Sequence, residues 1–307
     1  MRIKCFAKVN IALNILNKRN DGYYNIESIM QTVNLFDVLE IELAKKLSVN
    51  SNNCDLPNDN RNLAYKAAEK FFDKKIEKNK VKIFIKKNIP IGAGLGGGSS
   101  DAAGVLKALN QLFLYPFNFQ EICSIASSLG SDVAYFLFGS TALITGKGDM
   151  ITRLEKFNFF HCLIVKPNFS IKTSWCYKNF KLNLINKNEM ANIPIILKNI
   201  KKINQANEKK TLDDHNENEP QLFETKIDFY IKEIFNNSKN VFEKLLLKKY
   251  PILSEYKKFL KQQGALFSLV TGSGSCVYGL FDDLKLCKNA FIKFKEMKVK
   301  AWICETI

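Results

Sequence analysis

One segment constrains this chain more than any other: Pro-Ile-Gly-Ala-Gly-Leu-Gly-Gly-Gly-Ser-Ser-Asp-Ala-Ala over residues 90–103. Five glycines fall between positions 92 and 98. Each costs chain entropy on folding, so a simple turn has no reason to carry so many. Before the segment, residues 80–87 alternate with Val81, Ile83 and Ile85 on one side, a strand pattern. After it, Ala102, Val105, Leu106, Leu109, Leu112 and Phe113 recur at helical spacing. Strand, glycine loop and helix in that order make an anion cradle. Glycines let backbone amides approach a ligand, and the helix behind points its positive end into the loop. Ser99 and Ser100 suit the N-cap and can donate to phosphate oxygens. Polyphosphate is the natural occupant.

Two familiar cradles do not fit. Gly92-x-Gly94-x-x-Gly97 matches the dinucleotide pattern formally, but that fold needs an acidic residue about twenty positions on, after a second strand. Here that region reads Tyr115-Pro-Phe-Asn-Phe. A P-loop needs Gly-Lys-Ser/Thr, and Gly97-Gly98-Ser99 has no lysine.

Elsewhere, residues 3–15 alternate: Ile3, Cys5, Ala7, Val9, Ile11, Leu13 and Ile15 on one side, Lys8 and Asn10 on the other. That predicts a strand with a core face and a polar face. Residues 33–43 read as a strand, 62–73 and 119–129 as helices, and 141–154 as a hairpin around Gly146-Lys147-Gly148-Asp149. Near residue 158 a second unit begins. It has strands at 161–166, 266–271, 276–281 and 299–304, and helices at 251–263 and 284–297. The mixture predicts an α+β protein with units 1–157 and 158–307. Residues 204–220 are polar and nearly free of apolar side chains, which predicts an exposed loop.

A formal charge of +16 raises the question of a nucleic-acid partner. The basic residues are almost all lysine and scattered; arginine, the usual reader of base edges, occurs only at 2, 19, 61 and 153. A nucleic-acid-binding protein is therefore the lesser alternative, and a field that attracts polyphosphate substrates the better one. Eight cysteines form no C-x-x-C pair, and His161 and His215 cannot complete a zinc site at the usual spacing. Buried thiols in a reducing compartment follow. No apolar run reaches membrane-spanning length, and Arg2, Lys4 and Lys8 interrupt the start. A cytoplasmic protein without a membrane partner is expected.

Three separated segments carry a resemblance: Ala7-Lys8-Val9-Asn10 with Asp21-Gly22-Tyr23, the glycine-rich run, and Thr271-Gly-Ser-Gly-Ser275. Together they resemble the GHMP kinases, and within them the branch that acts on a cytidine-diphosphate-linked methylerythritol. The resemblance spans nearly the whole chain. It implies a two-domain fold, with an N-terminal mixed α/β domain carrying extra β-hairpins and a C-terminal ferredoxin-like α+β domain. It implies an ATP-dependent kinase for the 2-hydroxyl of that substrate, in the non-mevalonate route to isoprenoid precursors; a GHMP kinase for another alcohol is the alternative. ATP and Mg²⁺ are the implied cofactors.

Residue by residue, the resemblance puts ATP on Pro90, Ile91, Gly92, Ala93, Gly94, Leu95, Gly96, Gly97, Gly98, Ser99 and Ser100. It makes Asp132 the proton acceptor and Lys8 its orienting cation. Read alone, Asp132 is an ordinary helix-terminal carboxylate and Lys8 a solvated strand lysine. The substrate falls on Asn10, Tyr23, Tyr24, Tyr177, Gly272 and Ser273. Tyr24 stands where the family has His, and Tyr177 reads equally well as a plain helix residue. No protein ligand for Mg²⁺ is assigned; Ser99 is a candidate.

Overall fold

A computed structural model describes the backbone of residues 1–74, 78–157, 160–212 and 220–307. The first strand, β1 (Arg2–Lys18), pairs antiparallel with the 21-residue β2 (Tyr24–Ala44). The alternation of β1 is real but broken. Register shifts fall between Phe6 and Ala7 and between Asn10 and Ala12. A bulge adds one residue and reverses which side of the sheet the next side chains face. Ala7, Val9 and Ile11 therefore join one core, while Cys5, Leu13 and Ile15 join another. The expected single apolar face is thus divided between two cores. Lys8 and Asn10 sit between the bulges, and both are buried rather than on a solvated face.

The larger sheet continues with β3 (Ser48–Ser51), then α1 (Leu63–Lys74) and β4 (Lys80–Lys86). After the glycine loop come α2 (Gly97–Leu112), α3 (Phe119–Leu129), α4 (Ser131–Phe138), β5 (Thr141–Thr145) and β6 (Met150–Arg153). The order is β3-β4-β2-β5-β6, with β1 added on β2. Helix α2 lies close on β1 and β2 because Gly104 has no side chain. A Cβ there would sit 2.3 Å from Cys5 Sγ and 3.1 Å from Leu39 Cδ1. Val105, Leu106 and Leu109 are fully buried in the same core. Burying each leucine stabilises the docking by roughly 1.5–3 kcal/mol.

The second unit begins with β7 (His161–Lys166) and continues through α5 (Thr173–Asn179), α6 (Ile193–Leu212), α7 (Pro220–Asn237), α8 (Glu243–Lys249) and α9 (Ile252–Gln262). It closes with β8 (Phe267–Val270), β9 (Val277–Phe281), α10 (Leu284–Glu296) and β10 (Lys300–Glu305). All pairings are antiparallel and the order is β10-β7-β9-β8. Fourth, first, third, second is the ferredoxin-like arrangement. The two units are tied together: Leu13 bridges Asn240, Val33 bridges Thr306, and the Asn14 side chain bonds both backbone groups of Ala191.

Two local readings are corrected. Residues 204–212 are not loop but the end of α6. Ile193, Ile196, Ile200 and Ile203 lie buried on one stripe, so tertiary packing carries the helix into its polar tail. Residues 213–219 of the expected loop lie outside the described residues. Helix α2 also starts earlier than serine capping suggests. Its N-cap is Gly96, at φ 72, and it has no side-chain cap. Ser99 and Ser100 belong to the first turn. Among the described residues no helix is long and apolar enough to cross a membrane.

Candidate active site

The glycine loop is held by its carbonyls. Ile91 O accepts from Ser170 Oγ (3.0 Å) and Gly92 O from Ile171 N (3.3 Å). Ala93 O accepts from Cys276 N (3.1 Å), Gly94 O from Thr271 Oγ1 (3.2 Å) and Leu95 O from Lys8 N (3.0 Å). In a planar trans peptide the N–H points opposite to the C=O. Carbonyls drawn into the protein therefore turn the amide edge of the loop the other way. Gly94 shows how tightly the loop is seated: at φ +77, its Cβ would lie 2.1 Å from Thr271 O.

The loop borders a cavity of about 320 Å³. Every predicted ATP residue from Pro90 to Ser99 lines it, together with Lys8, Asn10, Asp132, Tyr177, Gly272 and Ser273. Ser100 does not; it is buried behind the loop. Tyr23 and Tyr24 are also outside the lining. Tyr23 is 61 % exposed, with Lys147 Nζ 5.7 Å from its ring centre. Tyr24 stacks on Tyr177 (5.7 Å, 28°), which sets its edge against Phe242. The ring at position 24 is thus part of an aromatic wall behind the cavity.

At the cavity floor, Lys8 Nζ donates to Asn10 Oδ1 (2.7 Å) and lies 3.7 Å from Asp132 Oδ2. The Lys8 side chain is 4 % exposed and that of Asp132 34 %. The carboxylate, in the first turn of α4, faces the open space while the ammonium stays dry. Burial pulls the Lys8 ammonium below its usual value, and Asp132 opposes that shift. Asn10 is fixed in turn. It donates to Ser28 Oγ (2.9 Å), and its backbone N–H reaches Thr271 Oγ1 (3.3 Å). Asn240 Nδ2 holds the carbonyls of Val270 and Gly272 at 2.7 Å each, which sets the second glycine turn beside Lys8.

Sequence reasoning missed one cluster here. Lys87, at the cavity wall, donates to Asp37 Oδ2 (2.5 Å) and Asp101 Oδ2 (2.7 Å), with all three side chains buried. Asp37 is satisfied by the amides of Asn88 and Ile89, whereas Asp101 Oδ1 has no partner among the described residues. The only sequence signal was the position of Lys87 and Asp101 on either side of the glycine run. Burial raises the Asp101 carboxyl to about 7; Lys87 opposes the shift and Asp37 adds to it. A raised carboxyl contributes stability that is full below its ordinary 3.8 and lost as pH rises through about 7. Asp101→Asn cannot ionise. Its Tm relative to the parent should therefore climb between pH 5 and pH 8 in thermal melts; a pH-independent difference would refute the assignment.

Comparison with known proteins decides the family. The models for the GHMP kinases N terminal domain and the GHMP kinases C terminal match residues 62–140 and 230–294. A 4-diphosphocytidyl-2-C-methyl-D-erythritol kinase of Clostridium tetani (strain Massachusetts / E88) is 37 % identical over 308 residues, covering 100 % of both chains. The chain belongs to the 4-diphosphocytidyl-2-C-methyl-D-erythritol kinase family. A further member, from Clostridium perfringens (strain SM101 / Type A), is 38 % identical and spans 100 % of this chain and 98 % of its own. The crystal structure of a 4-(cytidine 5'-diphospho)-2C-methyl-D-erythritol kinase superposes with a TM-score of 0.77 at 26 % identity, covering 99 % of this chain and 98 % of that one. The mevalonate kinase of Methanococcus jannaschii shares the fold at a TM-score of 0.67 and 18 % identity, covering 100 % of this chain and 98 % of its own. As a member of this family of GHMP kinases, the chain is an ATP-dependent phosphotransferase.

Proposed function

We propose that the chain transfers the γ-phosphoryl group of ATP to the 2-hydroxyl of 4-diphosphocytidyl-2-C-methyl-D-erythritol. The observation that carries this reading is the Lys8–Asp132 pair, 3.7 Å apart at the floor of the glycine-lined cavity. Phosphoryl transfer needs positioning and charge neutralisation above all, with a base for the hydroxyl proton. Asp132 takes that proton. The hydroxyl oxygen bonds to the γ-phosphorus as the bond to the bridging oxygen breaks, and ADP leaves. The buried Lys8 ammonium orients the carboxylate and offsets charge on the transferring group. Asn10, Gly272 and Ser273 border the same space and fit the polar end of the acceptor. Tyr177, backed by Tyr24 and Phe242, offers a stacking surface for the cytosine, and the exposed Tyr23, beside Lys147, is a second candidate ring.

Among the described residues no group of three or more His, Cys, Asp or Glu is gathered to hold a metal ion. Mg²⁺ would arrive with ATP, ligated by phosphate oxygens and water, with the Ser99 hydroxyl available at the cavity wall. The ion would neutralise charge on the β- and γ-phosphates.

The loop is tested at Gly98 rather than Gly97. A Cβ at Gly97 would lie 2.9 Å from both Ile89 Cγ2 and Lys87 Nζ, so Gly97→Val disturbs the protein itself. At Gly98 the nearest atom is Leu63 Cδ1, at 3.9 Å. Gly98→Val should therefore fold normally and raise the KM for ATP by about tenfold or more, roughly 1.4 kcal/mol. An unchanged KM in a folded variant would place the phosphates elsewhere.

A further inference from the structure

Lys166, the last residue of β7, is a buried lysine whose ammonium, among the described residues, meets only neutral acceptors. It donates to Pro167 O (3.1 Å), to Phe169 O and to Ser170 Oγ (3.4 Å). Among the described residues no carboxylate lies within ion-pair distance of it. Taking an ammonium out of water is costly unless an opposite charge or good hydrogen bonds compensate. Burial draws its pKa below the ordinary value; Cys276 opposes that shift, and Lys300, paired with it across β10 and β7, adds to it. A methionine would fill the same space without that cost. The charge calls for a partner that the described residues do not provide.

The turn that Lys166 gathers leads straight to the glycine loop. Ser170, which accepts from Lys166, donates onward to Ile91 O (3.0 Å), and the next amide, Ile171 N, bonds Gly92 O (3.3 Å). A Cβ on Gly92 would stand 2.7 Å from Ser170 Cβ, so turn and loop are in direct contact. Ser275 Oγ holds Phe169 O from the far side (2.7 Å), beside the amide of Cys276 that bonds Ala93 O (3.1 Å). One hydroxyl therefore separates a buried, unpaired positive charge from the entry of a loop whose amides are turned outward.

From this geometry we propose that Lys166 is a positioning residue for the nucleotide. Its ammonium ties residues 167–170 into a brace under the start of the glycine loop, and bound polyphosphate compensates its charge. The inference rests on ATP phosphates lying in that loop. It goes further by assigning part of the affinity to a side chain outside the cavity lining, on the second unit. Two effects are combined, and they can be separated. Lys166→Gln keeps an N–H donor for the brace but removes the charge. Lys166→Met removes both, and Lys166→Arg keeps the charge and the donors.

The experiment measures dissociation constants for ATP and for adenosine by calorimetry, and kcat and KM for ATP, in the full-length parent and the three variants. Lys166→Gln and Lys166→Met should weaken ATP about five- to tenfold, roughly 1–1.4 kcal/mol. Adenosine, which carries no phosphate, should change less than about twofold. The kcat should stay within about threefold, and Lys166→Arg should restore ATP affinity. A purely structural lysine would weaken ATP and adenosine alike, or lower kcat without touching ATP affinity; either result overturns the proposal. ATP binding unchanged in folded Lys166→Gln overturns it too, and that variant decides the matter if Lys166→Met does not fold. If the parent itself binds ATP no better than adenosine, the phosphate reading of the loop falls, and this inference with it.

Discussion

Asp132→Asn should lower kcat by about 10²- to 10⁴-fold, the usual loss when a general base is removed. The change keeps size and shape. Asp132 is 34 % exposed, so the amide itself is accommodated, but the dry Lys8 ammonium loses its nearby anion, and a thermal melt must show that the variant is folded. Because the carboxylate acts on the hydroxyl proton as the bond to phosphorus forms, the loss should appear in kcat, with KM for ATP changed little. Steady-state kinetics with saturating substrate checks this. A kcat within about threefold of the parent would mean that Asp132 is only a helix-terminal carboxylate, stabilising α4 through its dipole.

Lys8→Met should lower kcat by about 10²- to 10³-fold, the range seen when one preorganised charge-stabilising donor is removed. The position is nearly dry, and methionine matches the lysine stem, so the core around Ala7 and Val9 should survive. Asn10 Oδ1 loses a 2.7 Å donor and Asp132 its nearby cation. The parent adds an independent check. Burial holds the Lys8 ammonium below the ordinary 10.5, so the charged form disappears as pH rises through that lowered value. The kcat of the parent should therefore fall on the alkaline side before pH 10.5, and Lys8→Met should lack that limb. Retention of the same limb in Lys8→Met would assign it to another group.

The two experiments probe a pair that sequence spacing alone could not assemble. Lys8 lies on β1 and Asp132 opens α4, far apart in the chain. Read by themselves, each had a more ordinary explanation than catalysis. What brings them within 3.7 Å is the docking of α2 and α4 on the larger sheet, together with the bulges in β1. The bulges matter most. Unbroken alternation would have kept Leu13 on the side of Val9 and left Lys8 among polar surface residues. The shifts flanking Lys8 and Asn10 instead turn those two side chains into the cavity that Leu13 also lines.

The local code was nonetheless rich. The strand before the glycine run, the glycines themselves and the amphipathic helix after them are each legible from nearest-neighbour chemistry. So is every strand of the ferredoxin-like sheet, to within a residue or two. Periodicity and glycine content depend only on residues close in sequence, so a single sequence determines them. Three features depend on the tertiary structure instead. The polar tail of α6 is helical because its isoleucines are packed, not because its own residues prefer a helix. Helix α2 begins at Gly97 because the loop carbonyls are fixed by residues 170–171 and 271–276, so no serine cap is required. Lys87 with its two aspartates, and Lys166 with none among the described residues, are indistinguishable from the other lysines until burial removes water from around them. The cost of a charge is set by what surrounds it in space, and the chain does not reveal those surroundings until distant strands have paired.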